Sequence, residues 1–375
     1  MTTTDTAKVL GSLTDAAEGG VRDGGDEDRV LGMPCRWVVR PQDTAQVAAV
    51  LRAAHESGLA VVPKGAGTKL GWGAPPERFD VLLDLGGLDR LVEHAAGDLI
   101  AIVGAGRRVG DLQSDLAASG QWLAVEPSRP GTVGGLVATA STGPTRLLHG
   151  PVRDLVIGTT MVRADGVVAK SGGKVVKNVA GYDLGKLLTG SFGTLGVLTE
   201  VAFRLHPVAE ASGWVGVPVS SSRQAGTLVQ AVVHSHLVAT ACELDQPADG
   251  PASLAIRLDG IPPGVAARTR DAVELLGAGA EPLDAAPAWW GAEPGDEAPA
   301  LLLKLTHETA SLGQLLDAVR EAGSSAGVAL DVRGSAAVGT LLAATRGAVD
   351  PEAAVAVVER LRAASAGFGG TVVVL

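Results

Sequence analysis

Three short glycine-rich segments carry the residues whose types and spacing suit a bound ligand. The first is PKGAGT at 63–68, the second PSRPGTVGG at 127–135 and the third GSFGTLGV at 190–197. Residues without a bulky side chain let several backbone N–H groups approach one anion, and Lys64 and Thr68 add a charge and a hydroxyl donor. Three such segments favour a long ligand that lies along the backbone. A dinucleotide such as FAD fits this pattern better than a compact substrate does.

The elements that would position these segments are predicted from apolar spacing. Asp43 and Thr44 begin a helix whose apolar residues recur at helical intervals, and Gly58 ends it. Val61 and Val62 then form a short buried strand, so the first segment follows a strand. The third segment runs directly into the predicted strand VLTEV. Each segment therefore lies at the boundary of a helix or a strand.

Other motifs in the chain support fewer kinds of chemistry. VGAGRRVG at 103–110 has the spacing G-x-G-x-x-x-G, one residue longer than the dinucleotide fingerprint, and is interpreted as an ordinary tight turn. His234 and His236 lie two apart on a predicted helix and do not face each other, so we predict no metal site with Cys242. The sequence has no H-E-x-x-H, C-x-x-C, G-x-S-x-G or phosphate-binding P-loop motif.

Composition narrows the class of protein. The chain has 375 residues and a formal charge of −10, with an isoelectric point near 5.2. This charge gives no electrostatic basis for binding nucleic acid or anionic lipid. Two cysteines cannot form an iron–sulfur cluster or a disulfide framework. No apolar run reaches the ~18 residues of a membrane span, and the start lacks a cleavable leader. We therefore expect a soluble, cytoplasmic protein, peripheral to a membrane only through its partners.

The pattern of elements predicts three regions. Residues 1–34 are polar, acidic and glycine-rich, and are interpreted as a weakly ordered N-terminal arm. Residues 35–209 form a first globular block that contains the three segments. In residues 210–375 strands alternate with single helices, which predicts a sheet covered by helices on one face. Residues 285–299 are interpreted as a loop, and no internal repeat is evident.

The combined motifs resemble a known family. PKGAGT, EPSRPGTVGGLVATASTG, HGPVRDLVIGTTMVRADG and GGKVVKNVAGYDLGKLLTGSFGTLGVLTEVAFRLHP occur in this order between about 37 and 208. They are similar to the vanillyl-alcohol oxidase/p-cresol methylhydroxylase (PCMH-type) FAD-binding proteins, and most of all to the FAD-binding subunit of bacterial glycolate oxidase. The resemblance implies an α+β fold: a two-subdomain PCMH-type FAD-binding domain followed by a smaller α+β, ferredoxin-like cap domain.

The resemblance also implies which residues hold a non-covalent FAD. The first segment would wrap the pyrophosphate, the second would pass along the ribityl chain and flavin, and further residues would lie near the flavin or adenine. The residues implied are Lys64, Gly65, Ala66, Gly67, Thr68, Pro130, Gly131, Thr132, Gly134, Gly135, Ala140, Gly143, His149, Gly150, Val152, Arg153, Asn178, Gly181, Tyr182 and Val197.

The chain departs from the family pattern in several places. Ala66 stands where glycine is common, which is tolerated only if its φ stays negative. The cap lacks the H-x-x-x-x-N-x-H-type stretch of the catalytic hydroxyacid dehydrogenases, and TVVVL replaces their FNPG-like tail. We assign no catalytic residue. A base could be His149 or His307, and a carboxylate could be bound by Arg257 or Arg333; these alternatives stay open.

Three functions follow from the resemblance. The first is the FAD-binding subunit of a glycolate-oxidase-like complex, which passes electrons from a 2-hydroxy acid beside a catalytic flavoprotein subunit and an iron–sulfur subunit. The second is an autonomous FAD-dependent dehydrogenase of glycolate or D-lactate. The third is a protein that holds FAD as a structural element and contributes an interface.

Overall fold

The computed structural model describes residues 3–174 and 181–375, and the predicted site residue Asn178 lies outside them. The chain divides into two compact units. Unit 1 comprises Met1–Thr142 and Pro151–Val208, and unit 2 comprises Gly143–Gly150 and Ala209–Leu375. The second part of unit 1 ends at Val208, and the second part of unit 2 begins at Ala209. Residues 143–150 belong to unit 2, whereas the sequence predicts one continuous domain over residues 35–209.

Short strands and helices alternate up to residue 208. In chain order, with α5 in unit 2, they are α1 (Thr3–Ala16), β1 (Val21–Asp23), β2 (Trp37–Val39), α2 (Thr44–Glu56), β3 (Val61–Lys64), β4 (Val81–Asp84), β5 (Leu91–Ala95), β6 (Ile100–Gly104), α3 (Val109–Ala117), β7 (Gln121–Trp122), α4 (Val133–Ala138), α5 (Arg146–His149), α6 (Val152–Leu155), β8 (Val156–Val162), β9 (Val168–Gly172), α7 (Leu184–Leu188), β10 (Val197–Arg204) and β11 (His206–Pro207).

Two larger sheets organise the described part of unit 1. One has the order β1-β2-β4-β3, in which β4 pairs in parallel with both β2 and β3. The other has the order β5-β6-β10-β8-β9 and is antiparallel throughout. In the first sheet β3 and β4 are joined in register at Lys64 and Asp84, which places the end of β3 at the sheet's carboxyl edge. The first glycine-rich segment leaves from that edge.

Helix α2 confirms the reading of residues 41–62. The Asp43 side chain accepts a hydrogen bond from the Gln46 N–H and so caps the helix. Val47, Val50, Leu51 and Ala54 are buried on one face, as the helical spacing predicts. Gly58 has a positive φ of 64° and ends the helix before β3.

The weakly ordered arm predicted for residues 1–34 is not what the structure has. Helix α1 packs against α2, and Leu13 and Ala17 are fully or nearly fully buried in their common core. Strand β1 pairs with β2 from Val21 to Asp23. The polar, glycine-rich composition hid an apolar stripe on α1, and one helical stripe is enough to order a segment once a partner helix covers it.

Unit 2 continues the chain from residue 209. Its remaining elements are β12 (Ala211–Val219), α8 (Ser222–Val233), β13 (Ala241–Gln246), β14 (Ala252–Gly260), α9 (Pro262–Leu276), β15 (Glu281–Leu283), β16 (Leu302–Thr306), α10 (Leu312–Ala326), β17 (Leu330–Ser335), β18 (Thr340–Thr345), α11 (Pro351–Ala366) and β19 (Thr371–Val374).

The described strands of unit 2 form one antiparallel sheet with the order β15-β12-β14-β13-β17-β18-β16-β19. The series strand–helix–strand–strand–helix–strand occurs twice, and the two halves meet at β13 and β17. Residues from α8, α9, α10 and α11 share one core cluster with alternate residues of the strands. This confirms a sheet covered by helices on one face, whereas the repeated order of elements was not evident from the sequence.

Residues 143–150 join unit 2 through specific contacts. The Leu148 N–H donates to the Thr240 carbonyl at 3.3 Å, and Leu147 packs against the core of unit 2. Helix α5 contacts β13. These contacts place Gly143, His149 and Gly150 in unit 2, and not in the unit that holds the glycine-rich segments.

Candidate functional site

A cavity in unit 1 brings the three glycine-rich segments together. It holds about 830 Å³ of empty space, its mouth open to solvent included. The described residues that line it include one lysine and no carboxylate, so its walls favour an anionic or neutral ligand over a cation. The lining residues are Pro63, Gly65, Ala66, Gly67, Thr68, Lys69, Leu70, Leu85, Ala105, Gly131, Thr132, Gly134, Gly135, Ala138, Thr139, Ser191, Phe192, Gly193, Gly196, Val197 and Leu198.

The first segment supplies free backbone donors. Within the described residues, the N–H groups of Ala66, Gly67 and Thr68 make no hydrogen bond. Three successive N–H groups without a protein acceptor at a cavity wall can bind one anion together. Gly67 has a φ of 78°, whereas Ala66 does not have a positive φ. Ala66 therefore meets the condition under which a methyl group is tolerated at this position.

The first and second segments touch so closely that a side chain at Gly65 does not fit. A Cβ atom on Gly65 would overlap the Thr132 Oγ1 atom, and one on Gly131 would lie 3.1 Å from Thr68 Oγ1. Thr132 is itself fixed, because it caps α4 by accepting a hydrogen bond from the Gly135 N–H at 3.3 Å. The two loops thus form one continuous wall of backbone.

Helix α4 begins against the core of unit 1. The Gly134 N–H donates to the Ala105 carbonyl at 2.7 Å, and the Val133 N–H donates to the Arg107 carbonyl at 2.9 Å. A Cβ atom on Gly134 would lie 2.9 Å from the Ala105 Cβ atom. Glycine at 134 is therefore required for close packing, and the donors at the start of α4 are already used within the protein.

The third segment also lines the cavity, through Ser191, Phe192, Gly193, Gly196 and Val197. The Phe192 N–H donates to the Ala138 carbonyl at 2.8 Å, which ties this segment to the end of α4. Gly193 has a φ of 75° and lies against Pro63. The rings of Phe192 and Trp72 are 6.5 Å apart. The cavity is thus lined by an aromatic ring and apolar side chains as well as by backbone amides, which suits a ligand with a charged and a planar part.

A second observation supports positive potential at the first segment. The Lys69 ammonium donates to the Arg129 carbonyl at 3.0 Å and lies 5.6 Å from the centroid of the Trp72 ring. Lys69 is also one of the residues that line the cavity. A cation in the cavity wall adds to its preference for an anion.

Nine of the predicted cofactor residues line this cavity. They are Gly65, Ala66, Gly67, Thr68, Gly131, Thr132, Gly134, Gly135 and Val197.

Several other predicted residues of unit 1 are placed next to the cavity or away from it. Lys64 is the last residue of β3, and its Cε lies near Gly67. Ala140 follows α4 with a φ of 50°. Val152 is buried and donates its N–H to Thr142 Oγ1 at 3.0 Å, and Arg153 Nε donates to the Lys186 carbonyl at 3.5 Å. Pro130 precedes the lining residue Gly131 without itself lining the cavity. The hydrogen bonds of Val152 and Arg153 are thus made within the protein.

Gly181 and Tyr182 follow the stretch that the structure does not describe. Gly181 has a φ of 84°, and Tyr182 is 93% exposed. The Tyr182 carbonyl accepts a hydrogen bond from Ser171 Oγ at 2.8 Å. The ring of the single tyrosine is thus a surface group, and it does not line the cavity.

Seven lining residues fall outside the three glycine-rich segments: Lys69, Leu70, Leu85, Ala105, Ala138, Thr139 and Leu198. Lys69 and Leu70 directly follow the first segment and form a turn with its last residues, whereas the sequence analysis ended this segment at Thr68. Leu85 follows β4 in one sheet and Ala105 follows β6 in the other, and the pairing of each strand within its own sheet brings them to the cavity.

The motif at 103–110 is a tight turn, as predicted. Strand β6 pairs antiparallel with β5 and β10, so the parallel strand–helix–strand unit of a dinucleotide fold is not formed here. The Gly106 N–H donates to the Leu88 carbonyl at 2.9 Å. A Cβ atom at Gly104 or Gly106 would overlap backbone carbonyl groups, which explains both glycines.

The residues considered as a base or as a carboxylate partner lie in unit 2. Arg257 Nε donates to Asp259 at 2.8 Å, and Arg333 Nε donates to Asp245 at 2.7 Å. Both guanidinium groups are thus engaged by carboxylates. His307 is buried, and burial lowers its pKa. His149 ends helix α5.

His234 and His236 are both exposed, and no group of three or more possible metal ligands occurs in the described ranges. Cys35 and Cys242 are buried free thiols, and burial raises the pKa of each. Among the helices that the structure describes, none is long and apolar enough to cross a membrane.

The comparison with protein families bears directly on this cavity. Residues 35–172 match the family described as FAD binding domain, and this range includes the first two segments of the cavity wall. The resemblance to PCMH-type FAD-binding proteins is thereby confirmed. Residues 35–172 thus contain an FAD binding domain.

The curated relatives include proteins named D-lactate dehydrogenase and proteins named as glycolate oxidase subunits. The D-lactate dehydrogenase of Archaeoglobus fulgidus is 36% identical over 204 residues, which is 53% of this chain and 45% of that protein. Glycolate oxidase subunit GlcD of Bacillus subtilis is 32% identical over 213 residues, 56% of this chain and 45% of that subunit. Subunit GlcE of Escherichia coli is 40% identical over 125 residues, 32% of this chain and 36% of GlcE. Each match spans less than half of the relative.

Solved structures show the same fold over nearly the whole chain. A 4-ethylphenol oxidase from Gulosibacter chungangensis matches with a TM-score of 0.74 at 14% identity, covering 97% of this chain and 87% of that one. An alkyldihydroxyacetonephosphate synthase matches with a TM-score of 0.73 at 16% identity, covering 97% and 81%. At these identities the likeness establishes the fold.

The cavity residues fit FAD on structural grounds. A pyrophosphate offers acceptors for the free N–H groups of Ala66, Gly67 and Thr68, and Lys69 can balance part of its charge. Gly65 and Gly131 both line the cavity, where a ligand can contact their backbone. Leu70, Leu85 and Phe192 offer an apolar surface to a planar ring.

Proposed function

We propose that this chain is the FAD-binding subunit of a glycolate-oxidase-like complex that oxidises a small 2-hydroxy acid such as glycolate. The single observation that supports it best is the cavity wall of free amides and glycines within a PCMH-type FAD-binding domain. The names of the relatives, glycolate oxidase subunits and D-lactate dehydrogenases, support a 2-hydroxy acid as substrate.

The proposed roles of the residues follow the cavity. Lys64 to Thr68 bind the pyrophosphate, and Gly131, Thr132, Gly134 and Gly135 shape the wall for the ribityl chain and the ring. Pro130, Ala140, Gly143, His149, Gly150, Val152, Arg153, Asn178, Gly181, Tyr182 and Val197 remain proposed cofactor residues by resemblance. FAD, bound without a covalent link, would supply the acceptor for the electrons removed at the alcohol carbon.

The assembly and the domain description are proposals of the same kind. We propose a catalytic flavoprotein subunit and an iron–sulfur subunit as partners, because the two cysteines of this chain cannot hold a cluster. We also propose that the two large sheets of unit 1 form the two subdomains of the family, and that unit 2 is its ferredoxin-like cap. The complex would be cytoplasmic and peripheral to a membrane through its partners.

A second candidate is an autonomous FAD-dependent dehydrogenase of glycolate or D-lactate. It is favoured by the matches to proteins that are named D-lactate dehydrogenase and not subunits, among them that of Archaeoglobus fulgidus. The two candidates differ in one measurable property, which is whether the isolated chain reduces its own flavin when substrate is added.

The test is an anaerobic absorbance spectrum of the purified, FAD-loaded chain before and after glycolate or D-lactate. We expect a flavin band that stays unbleached with the chain alone and bleaches when partner subunits are added. Bleaching of the isolated chain within seconds would establish the second candidate instead. A chain that binds no FAD even when the cofactor is supplied would contradict both. Acid precipitation that leaves all FAD in the supernatant would support non-covalent binding.

A further inference from the structure

Strand β19 lies at one end of the sheet in unit 2. Among the described strands it pairs only with β16, so one of its edges has no strand beside it. A free edge presents N–H and C=O groups that another strand can bind, and proteins commonly protect such an edge with charged residues or proline. The presence or absence of this protection therefore decides whether the edge of β19 is available for pairing.

Every other end strand of the larger described sheets carries such protection. The protecting residues are Arg22 and Asp23 in β1, Pro63 and Lys64 in β3, Glu93 in β5, Lys170 in β9, and Glu281 and Pro282 in β15. Strand β19 has the sequence TVVV, and residues 363–375 contain neither a charged side chain nor a proline. Strand β15 holds the equivalent place in the other half of unit 2, so the difference lies in the residues and not in the topology.

The pairing of β16 with β19 shows which backbone groups face the free edge. The Leu375 N–H donates to the Leu302 carbonyl at 2.9 Å, so Leu375 bonds towards β16. The direction of hydrogen bonding alternates along an antiparallel strand. Val373 therefore also bonds towards β16, whereas Val372 and Val374 direct their N–H and C=O groups outward. Two donors and two acceptors thus lie along the open edge.

Helix α11 lies beside this edge. It packs against β19, and the Arg362 Nε atom donates to the Val372 carbonyl at 3.3 Å, which agrees with an outward direction of that carbonyl. A carbonyl oxygen has two lone pairs, so it can accept a second hydrogen bond. Val355 precedes Arg362 by seven residues, lies on the same face of the helix and is 55% exposed. An apolar side chain thus accompanies the open strand.

The charges of α11 favour a second copy of the same chain at this edge. Asp350 and Glu352 lie at the start of the helix and Arg360 and Arg362 lie near its end, and all four are exposed. Two copies of α11 that run antiparallel across a two-fold axis bring the acidic start of each towards the basic end of the other. A strand without charges likewise places no like charges opposite each other when it pairs with itself.

We propose that two copies of this chain pair through the free edges of β19 around a two-fold axis. Val373 of each copy lies opposite Val373 of the other, and Val372 of each lies opposite Val374 of the other. The outward groups of both copies then form four hydrogen bonds between the chains, and the sheet of unit 2 continues across the axis. The same surface is used by both copies, so the assembly closes at two.

The test is sedimentation velocity of the purified full chain at about 1 to 100 μM, because a small interface of one short strand and one helix face gives a reversible dimer. The unmodified chain should change from the mass of one copy, 37.7 kDa, to twice that mass as its concentration rises. A chain that keeps the mass of one copy throughout would overturn the proposal. Growth beyond two copies would contradict a closed two-fold pairing.

Two substitutions alter the edge and leave the bonds to β16 in place. Val374→Pro removes an outward N–H, which an edge strand tolerates, and Val373→Lys places two ammonium groups opposite each other at the axis. Val373 is 46% exposed, so the lysine side chain can reach solvent in the single chain. We expect each variant to raise the dissociation constant of the dimer by about tenfold or more.

The matched control is Val168→Lys, at a valine that is 42% exposed on the end strand β9 of unit 1. Its dissociation constant should equal that of the unmodified chain, and the FAD content should be the same in all four proteins. Equal dissociation constants in all four would show that the edge of β19 is not the interface.

A cross-link checks the register and does not depend on weakened binding. The two Val373 side chains at the axis form a directly opposite, non-hydrogen-bonded pair, whose Cβ atoms are close enough for a disulfide. Val373→Cys should therefore give a disulfide-linked dimer with oxidised glutathione, whereas Val168→Cys should not; Cys35 and Cys242 are buried. No cross-link at concentrations where the unmodified chain is a dimer would contradict the pairing.

A strand of a different protein is the other possible occupant of this edge. A chain that stays single at every concentration, and whose Val374→Pro variant no longer joins a partner subunit, would establish that occupant and overturn the second copy. Mass and flavin reduction are measured separately, so failure of the dimer leaves the proposed function untouched, and failure of flavin reduction leaves the dimer untouched.

Discussion

Gly65 shows how a single residue decides whether the cofactor wall can form. A Cβ atom there would overlap Thr132 Oγ1, and Thr132 cannot move freely because it caps α4. We expect Gly65→Ala to separate the first two segments, at a cost of about 1–3 kcal/mol in unfolding free energy. FAD retained per chain after gel filtration should fall at least tenfold. The measurements are the flavin-to-protein absorbance ratio and urea unfolding.

The matched control for this substitution is Gly71→Ala in the same region. Its added Cβ atom would meet nothing closer than 3.9 Å, and its φ is not positive. This variant should retain FAD like the unmodified chain. Loss of FAD in both variants alike would show that the close contact between Gly65 and Thr132 is not what matters.

His307 gives the unfolding free energy a dependence on pH. The ring is 7% exposed, its Nδ1 bonds to the Glu308 carbonyl at 2.7 Å, and its Nε2 has no partner among the described residues. Burial lowers its pKa in the folded state, as it also lowers the pKa of His206. The unfolded chain therefore takes up more protons below about pH 6.5, and stability is lost as the pH falls.

Urea unfolding between about pH 5 and 8 checks this effect. Each such histidine contributes a slope of up to about 1.4 kcal/mol per pH unit below its ordinary pKa. His307→Gln should reduce the slope by one histidine's share, whereas His55→Gln, at an exposed position on α2, should leave it unchanged. An unaltered slope in the His307 variant would refute the assignment.

Among the elements, α1 is the one whose packing the composition of the sequence does not predict. The stretch around it is polar and rich in glycine, yet Leu13 is fully buried against α2. We expect Leu13→Ala to lower the unfolding free energy by about 2–5 kcal/mol, as for other buried leucines. Lys8→Ala, at an exposed position on the same helix, should change it by less than about 0.5 kcal/mol. Equal stability of the two variants in urea would restore the view of a loosely held arm.

At the scale of the whole molecule, the cavity joins segments that are more than a hundred residues apart in sequence. If FAD contacts all three, its binding should slow amide exchange in residues 63–70, 131–139 and 191–198 together. Hydrogen–deuterium exchange with mass spectrometry, with and without FAD, measures this. Helix α10 of unit 2 is the internal reference. Protection confined to one segment would contradict a single extended ligand.

The sequence by itself determined the local features. Helix α2 with its aspartate cap, strand β3 and the glycine segments follow from spacing and residue type, which act over a few neighbours. The family motifs added the cofactor class, and the FAD binding domain match over residues 35–172 confirms it. Nine of the residues named for the cofactor line one cavity, and most of them are glycines or other small residues whose backbone a ligand can approach.

Only the tertiary structure decided what depends on distant contacts. Leu85 and Ala105 reach the cavity through strand pairing, and Arg146 joins unit 2 because Leu147 and Leu148 pack and bond there. The pairing of Arg257 and Arg333 with aspartates is likewise a property of the folded sheet. Charges alone do not reveal their partners in a sequence, because cross-strand register brings together residues that are far apart along the chain.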